Sequence, residues 1–377
     1  MIQITRKARA LAPLLALVAA LAFAASAEAL PAKFWGVVPQ TTLNAEQLQR
    51  LSNGGVESIR VSLDWSEIQP QKGGPANWGG TDAVVERAAL AGLDLLPVLN
   101  GAPSWAVPSV RVPGGGGAKA PAHLPTSGAA AAGWTSLLEQ AVERYGPGGK
   151  FWAAHPSLPV RPIRAWQIWN EQNFRYSVVR PNPVEYGKLV NLSFAAIRGA
   201  DPGAQIVLGG MFARPRGSRN PRTGAHKGID WYAADFLEAL YKKTPGIKRK
   251  FNVVALHPYT YFASELPSEI EEIRDKLKSF HDSAKSLWIT ELGWSSERPA
   301  ANDRFAKGVS GQAKELNKAF SLLKRKQAPW RLQRVYWFAA DDLRGSCNFC
   351  GGSGLFDESF KPKKSWFEYV RFAGGTP

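Results

Sequence analysis

The chain has 377 residues, 45% of them hydrophobic, with 14 Trp and a net charge of +16. That is ample for a large core, and α/β barrels commonly run to this length as one domain. The basic residues are scattered rather than gathered into one patch, which argues for a solvated basic surface and against a nucleic-acid-binding chain.

The first segment, residues 1–29, reads as a secretory signal peptide. Arg6, Lys7 and Arg9 give a charged start, Leu11 to Ala25 is a short apolar run, and small residues around Ala25-Ser26-Ala27 and Ala27-Glu28-Ala29 offer a cleavage site. The run is short for a bilayer span, so cleavage and export are expected in place of membrane anchoring. Removing Arg6, Lys7, Arg9 and Glu28 with this segment leaves a net charge of +14.

Residues 30–377 alternate between apolar strand-like runs and helical patterns. Eight strands are predicted, at Phe34–Pro39, Ser58–Asp64, Asp94–Asn100, Arg164–Glu171, Gln205–Met211, Val253–Tyr259, Ser286–Glu291 and Arg334–Asp341. Helices are predicted at Ala45–Asn53, Gly80–Ala91, Ala129–Tyr145, Pro183–Ala200, Asp230–Lys243, Pro267–Lys278, Val309–Arg325 and Lys363–Phe372. The strands are continuously apolar, as in a parallel sheet covered by helices. Eight such units in order describe a single (β/α)8 TIM barrel. Long loops at 102–128, 213–228 and 293–308 follow strands and would rim its C-terminal face.

Two of the strands end in a glutamate: Trp169-Asn170-Glu171 and Thr290-Glu291-Leu292-Gly293. A carboxylate at the end of a buried strand is costly unless it is solvated, paired or functional. In a barrel of this kind catalytic groups come from the C-terminal strand ends, so Glu171 and Glu291 would face each other across the mouth. Two such carboxylates suit a pair in which one gives a proton and the other attacks carbon.

These segments, with Trp65-Ser66-Glu67-Ile68-Gln69-Pro70, Gly73 and Asn77-Trp78 near strand two, resemble the clan A retaining glycoside hydrolases, especially families 39 and 5. The resemblance covers residues 34–372. It implies Glu171 as the general acid/base and Glu291 as the nucleophile. It implies Asn170 as a ligand of the sugar 2-hydroxyl, Arg60 near the nucleophile, and Tyr259, beside His257, touching the nucleophile. Trp337 is implied as the aromatic floor under the reacting sugar. Trp105, in a loop after Pro103, is read as a sugar platform. His257 as a hydrogen-bonded core residue, and Arg60 as a salt-bridge partner of Asp64, are equal competing readings. Trp166 and Trp169 are read as packing, and Asp341 and Asp342 as loop caps.

The implied activity is hydrolysis of O-glycosidic bonds in a poly- or oligosaccharide by double displacement, with no metal and no cofactor. A monomer without nucleic-acid partner or lasting membrane insertion is expected. The rival readings are a catalytically silent carbohydrate-binding barrel and a cell-wall transglycosylase. Arg214, Arg216, Arg219 and Arg222 on one loop raise an acidic glycan as substrate. The two cysteines, Cys347 and Cys350, lie among glycines without further zinc ligands nearby, which in an exported chain makes a local disulfide the default.

Overall fold

Strands covered on both faces need apolar side chains throughout, and helices between them must carry one apolar stripe each. The chain meets both demands eight times. The computed structural model describes residues 30–215, 219–220, 228–299, 303–345 and 350–377. Within the unit Pro31–Pro377, the barrel strands are β1 (Trp35–Val38), β2 (Ser58–Asp64), β3 (Asp94–Asn100), β4 (Ala165–Ile168), β5 (Gln205–Leu208), β6 (Val253–His257), β7 (Ser286–Leu292) and β8 (Leu332–Phe338). The major helices are α1 (Ala45–Asn53), α2 (Gly79–Leu90), α3 (Gly128–Tyr145), α4 (Pro183–Ala200), α5 (Ala233–Lys243), α6 (Leu266–Ser279), α7 (Gly308–Arg325) and α8 (Lys364–Ala373).

All strand pairings in the barrel are parallel. β1 pairs with β2 and β8, and β7 pairs with β6 and β8, so the sheet closes on itself. The result is a single (β/α)8 barrel. Each parallel crossover uses a helix, as the connection requires. Helix starts follow local chemistry. Asn44 and Gln47 form a reciprocal capping box on α1, and Asn182 caps α4 with Pro183 in its first turn.

The barrel interior is filled by Val38, Leu96, Ala165, Val207, Val253, Ala255, Trp288 and Tyr336. Two large aromatics need a small residue opposite. A Cβ on Gly36 would stand 2.5 Å from the Tyr336 ring. Above this apolar layer the inward positions turn polar, with Arg60, Gln167, His257 and Thr290 all buried. That polar layer carries the site.

Several boundaries differ from the sequence expectation. β4 ends at Ile168, short of Glu171, because Trp169 and Glu171 adopt left-handed φ angles of 67° and 43°. The long loop after β3 contains a hairpin, Ser109–Arg111 with Lys119–Pro121. It turns through Gly114, Gly116 and Gly117 at positive φ and buries Val112 and Ala120 against Val179. A short helix at Lys150–Ala154 packs Phe151 and Trp152 inward. No helix among the described residues is long and apolar enough to cross a membrane; residues 1–29 lie outside them.

Candidate active site

Period-two alternation aims Ser58 and Arg60 of β2 inward, and likewise Ala165 and Gln167 of β4 and Val253, Ala255 and His257 of β6. β7 breaks this rule. Its register against β8 shifts between Ile289 and Leu292. Such an irregularity re-aims a side chain, so the sequence neighbours Thr290 and Glu291 both reach the same cluster. At β4 the left-handed turns at Trp169 and Glu171 serve the same end. Non-glycine residues are rarely held in that region, and where they are, the surroundings over-determine them. Here Trp169 N–H donates to Leu99 O at 2.8 Å and Glu171 N–H to Gly210 O at 3.0 Å.

The two glutamates meet around His257. Its Nδ1 lies 2.9 Å from Glu171 Oε1 and 3.5 Å from Glu291 Oε2. The three ligand-type atoms fall within 4.8 Å of one another, so the two carboxylates approach to that range. Glu291 is gripped from two sides. Arg60 Nη1 donates to its Oε1 at 2.6 Å, and Tyr259 OH to its Oε2 at 2.7 Å. Arg60 also donates from Nη2 to Asn170 Oδ1 at 2.6 Å, which reserves the Asn170 amide N–H groups for a ligand. Arg60 is thus the partner of Glu291, while Asp64 instead caps the short helix Trp65–Ile68 through Ser66.

These contacts set charge. Burial is the largest influence on Glu291 and opposes ionisation. The electrostatic pull of His257 and Arg60, with hydrogen bonds from Tyr259 and Arg60, outweighs it and holds the carboxyl below its ordinary value. Burial first, and then the Glu291 charge, push the Tyr259 hydroxyl well above its ordinary value. It therefore remains a donor. The set Glu171–His257–Glu291 is of a type that can ligate a metal, but the Arg60 guanidinium bonded to Glu291 would repel a dication there.

Residues missed by the sequence reading complete the network. Gln167 accepts from Arg60 Nε at 2.7 Å, and its Nε2 donates to Leu208 O at 3.1 Å and Thr290 Oγ1 at 3.3 Å. Thr290 Oγ1 lies 3.0 Å from His257 Nε2. Gln172 and Asn173 tie the loop after Glu171 to the backbone at Gly209, Phe212 and Trp231. A buried amide in an apolar strand is the one signal that could have marked Gln167.

The implied aromatic floor does not fit its role. Trp337 is fully buried; its ring faces Phe320 of α7 and Trp294, and its Nε1 donates to Ser353 O at 3.1 Å. Alternation sends the next residue, Phe338, to the inner side instead. Phe338 is half-buried against the barrel interior, its ring 6.3 Å from Tyr259. Trp105 stands edge-on to Trp65 and donates to Gln69 O at 3.0 Å, so it clasps the loops after β2 and β3. Trp169 packs on Trp134, as expected of a packing residue. Asp341 binds the backbone of Gln40, and Asp342 pairs with Lys363 at 2.8 Å. Cys350 is buried and disulfide-bonded; Cys347 lies outside the described residues.

A cavity of about 730 Å³ opens beside Tyr259, walled by Phe174, Tyr176, Phe212, Tyr261 and Phe305. Its arginines are already paired. Arg175 binds Asp230 at 2.8 Å, and Arg214 binds Glu269 and Glu272 at 2.9 Å. Farther along the loop Arg219 binds Asp235 at 3.0 Å. The expectation of free arginines for an acidic glycan fails for Arg214 and Arg219; Arg216 and Arg222 lie outside the described residues. Burial lifts Glu269 from 4.5 to about 7 against the pull of Arg214. The folded state therefore holds a proton that the unfolded chain releases earlier. Stability gained from this group is full below pH 4.5 and lost as pH rises through about 7. Melting temperature across that window should fall with pH in the wild type, and Glu269→Gln should flatten that slope; equal slopes would contradict the assignment.

Comparison with known proteins agrees with this architecture. Residues 212–366 match the family model described as glycosyl hydrolase catalytic core. The chain is similar to a family 39 glycoside hydrolase from Bacteroides cellulosilyticus, with TM-score 0.63 and 20% identity, over 91% of this chain and 64% of that one. It thus spans less than two thirds of that relative's length. It is similar to a family 39 β-xylosidase from Caulobacter crescentus, with TM-score 0.62 and 18% identity, over 92% and 72% of the two chains. It also resembles an intracellular xylanase from Thermoanaerobacterium saccharolyticum, with TM-score 0.57 and 15% identity, over 90% and 95%. No curated protein sequence matches the chain. What the chain shares with these glycoside hydrolases is the TIM-barrel fold.

Proposed function

We propose that the chain is an exported glycoside hydrolase that cleaves O-glycosidic bonds with retention of configuration. The observation that carries this reading is the approach of Glu171 and Glu291 to within 4.8 Å, with Glu291 held ionised by Arg60 and Tyr259. Retaining enzymes place their carboxyl groups roughly 5–5.5 Å apart, whereas inverting enzymes leave roughly 6.5–9.5 Å for a water. In the first step a Glu291 oxygen bonds to the anomeric carbon. The bond to the leaving oxygen breaks, and that oxygen takes the Glu171 proton. In the second step Glu171 removes a proton from water, which bonds to the same carbon and releases Glu291. The signal-like pattern of residues 1–29, a charged start before a short apolar run, supports export.

The walls of the cavity beside Tyr259 favour a neutral glycan. Aromatic faces stack on the CH faces of sugars, and the described arginines are neutralised by carboxylates. The xylosidase and xylanase among the similar structures make β-xylosides the first substrates to test. Proton NMR of the first product from an aryl β-glycoside should show the β-anomer, and the rate should not change between low and high salt. A first-formed α-anomer would overturn retention. A preference for acidic glycans that disappears in salt would overturn the neutral reading.

A further inference from the structure

Hydrogen-bond direction through the polar layer can be traced from its one obligate donor. Arg60 has no acceptor, so the Gln167 atom it meets at 2.7 Å is the amide oxygen. The Gln167 amide nitrogen then donates to Leu208 O and to Thr290 Oγ1. Thr290 Oγ1 has one other hydrogen-bond partner among the described residues, His257 Nε2 at 3.0 Å, and that nitrogen is the acceptor within reach of the Thr290 hydroxyl proton. Nε2 is thereby an acceptor, and the imidazole proton sits on Nδ1, which faces Glu171 Oε1 at 2.9 Å. The Gly210 backbone packs directly against this pair. A Cβ on Gly210 would lie 1.9 Å from His257 Nε2 and 2.6 Å from Thr290 Oγ1.

We propose that Thr290, backed by Gln167 and Arg60, is a positioning residue that fixes His257 as its neutral Nδ1–H tautomer and so keeps the Glu171 proton on the oxygen turned away from His257. The chemistry needs this choice. In the other tautomer Nδ1 would accept, and it would draw the carboxyl proton of Glu171 into a bond with the imidazole. With Nδ1–H donating, Oε1 is occupied as an acceptor and the acidic proton stays on Oε2, free for the leaving oxygen. Once that proton has gone, the same N–H steadies the new carboxylate. The groups that face His257 are Glu171 from the loop after β4, Glu291 and Thr290 from β7, the Gly210 backbone after β5, and the Tyr259 ring 6.3 Å away. Positive charge on His257 would make Nε2 a donor to Thr290 Oγ1 and would take away the acceptor of the Thr290 proton.

The kinetic arm of the test rests on the glycosidase reading; the spectroscopic arm does not. Nitrogen-15 NMR of the imidazole in the wild-type protein, assigned by its loss in His257→Ala, should show a protonated Nδ1 and an accepting Nε2 at neutral pH. An Nε2–H tautomer or an imidazolium there overturns the proposal, whether or not any glycoside is hydrolysed. Thr290→Val keeps the shape and removes the hydroxyl. It should lower kcat/KM on poor leaving groups by roughly 10- to 100-fold, part of what a general acid contributes. It should leave 2,4-dinitrophenyl glycosides nearly unchanged and shift the basic limb of the pH profile. Thr290→Ser should restore wild-type values. Equal losses on all leaving groups, or no recovery with Ser, would reduce Thr290 to a packing residue. If no glycoside is hydrolysed by the wild type, the function fails while the tautomer result stands.

Discussion

Glu291→Gln is expected to abolish turnover, with kcat falling by at least about 10⁴-fold, as removal of a covalent nucleophile does elsewhere. Gln keeps the shape; its amide oxygen can accept from Arg60 while its amide nitrogen donates to the Tyr259 oxygen, so it isolates the missing attack from a missing contact. Glu291→Ala is the poorer probe. It removes one of the three side-chain acceptors of the Arg60 guanidinium, whose side chain is 5% exposed, and a hydrogen bond left unmade at a buried group costs about 1–3 kcal/mol that Gln avoids. Melting curves should therefore separate the two variants even though both are inactive. Intact mass after reaction with a 2-fluoro glycoside should show one sugar attached to the wild type and none to the Gln variant. Because Glu291 titrates below its ordinary value of 4.5, the acidic limb attributable to it should fall below that pH. A trapped sugar on another residue would remove Glu291 from the role.

The barrel was legible because its signal is repeated. Eight apolar runs with helical patterns between them leave few alternatives, and β2, β3, α1 and α4 begin and end where the pattern predicts. The meeting of the two glutamates at the barrel mouth was legible because each closes an apolar strand, whereas Arg60 entered only through the resemblance. What stayed hidden depends on departures from regular geometry. The register shift in β7 brings Thr290 and Glu291 to one side, and no spacing rule announces it. Gln167 has no motif and gains its meaning only beside Arg60 and Thr290. Strand eight carries the opposite lesson. Two adjacent aromatics, Trp337 and Phe338, compete for the inner face, and a shift of one residue decides between packing edge-on against Phe320 of α7 and standing near Tyr259. The resemblance pointed to the larger ring, and alternation from Tyr336 pointed to the smaller one.

Glu171→Ala is expected to behave unlike the nucleophile variants, and the contrast tests the division of labour. Loss of a general acid should slow substrates with poor leaving groups by roughly 10²–10⁴-fold. Activated aryl glycosides need no proton to depart, so their first step should survive. The glycosyl-enzyme on Glu291 then waits for a nucleophile, because no base remains to deprotonate water. Azide needs no such help and fits the space left by the side chain. It should restore turnover and give a β-glycosyl azide from a β-glycoside, as expected when attack follows one inversion at Glu291 with another. The variant should also fold well. Glu171 sits in a strained left-handed conformation at φ 43°, and its side chain is partly exposed, so little packing is lost. His257 loses one partner but keeps Thr290 at Nε2 and Glu291 Oε2 at 3.5 Å from Nδ1. Equal losses for every leaving group without azide rescue would mean that Glu171 holds His257 in place instead of giving a proton. An α-azide product would place the attack on the wrong face and set aside double displacement altogether.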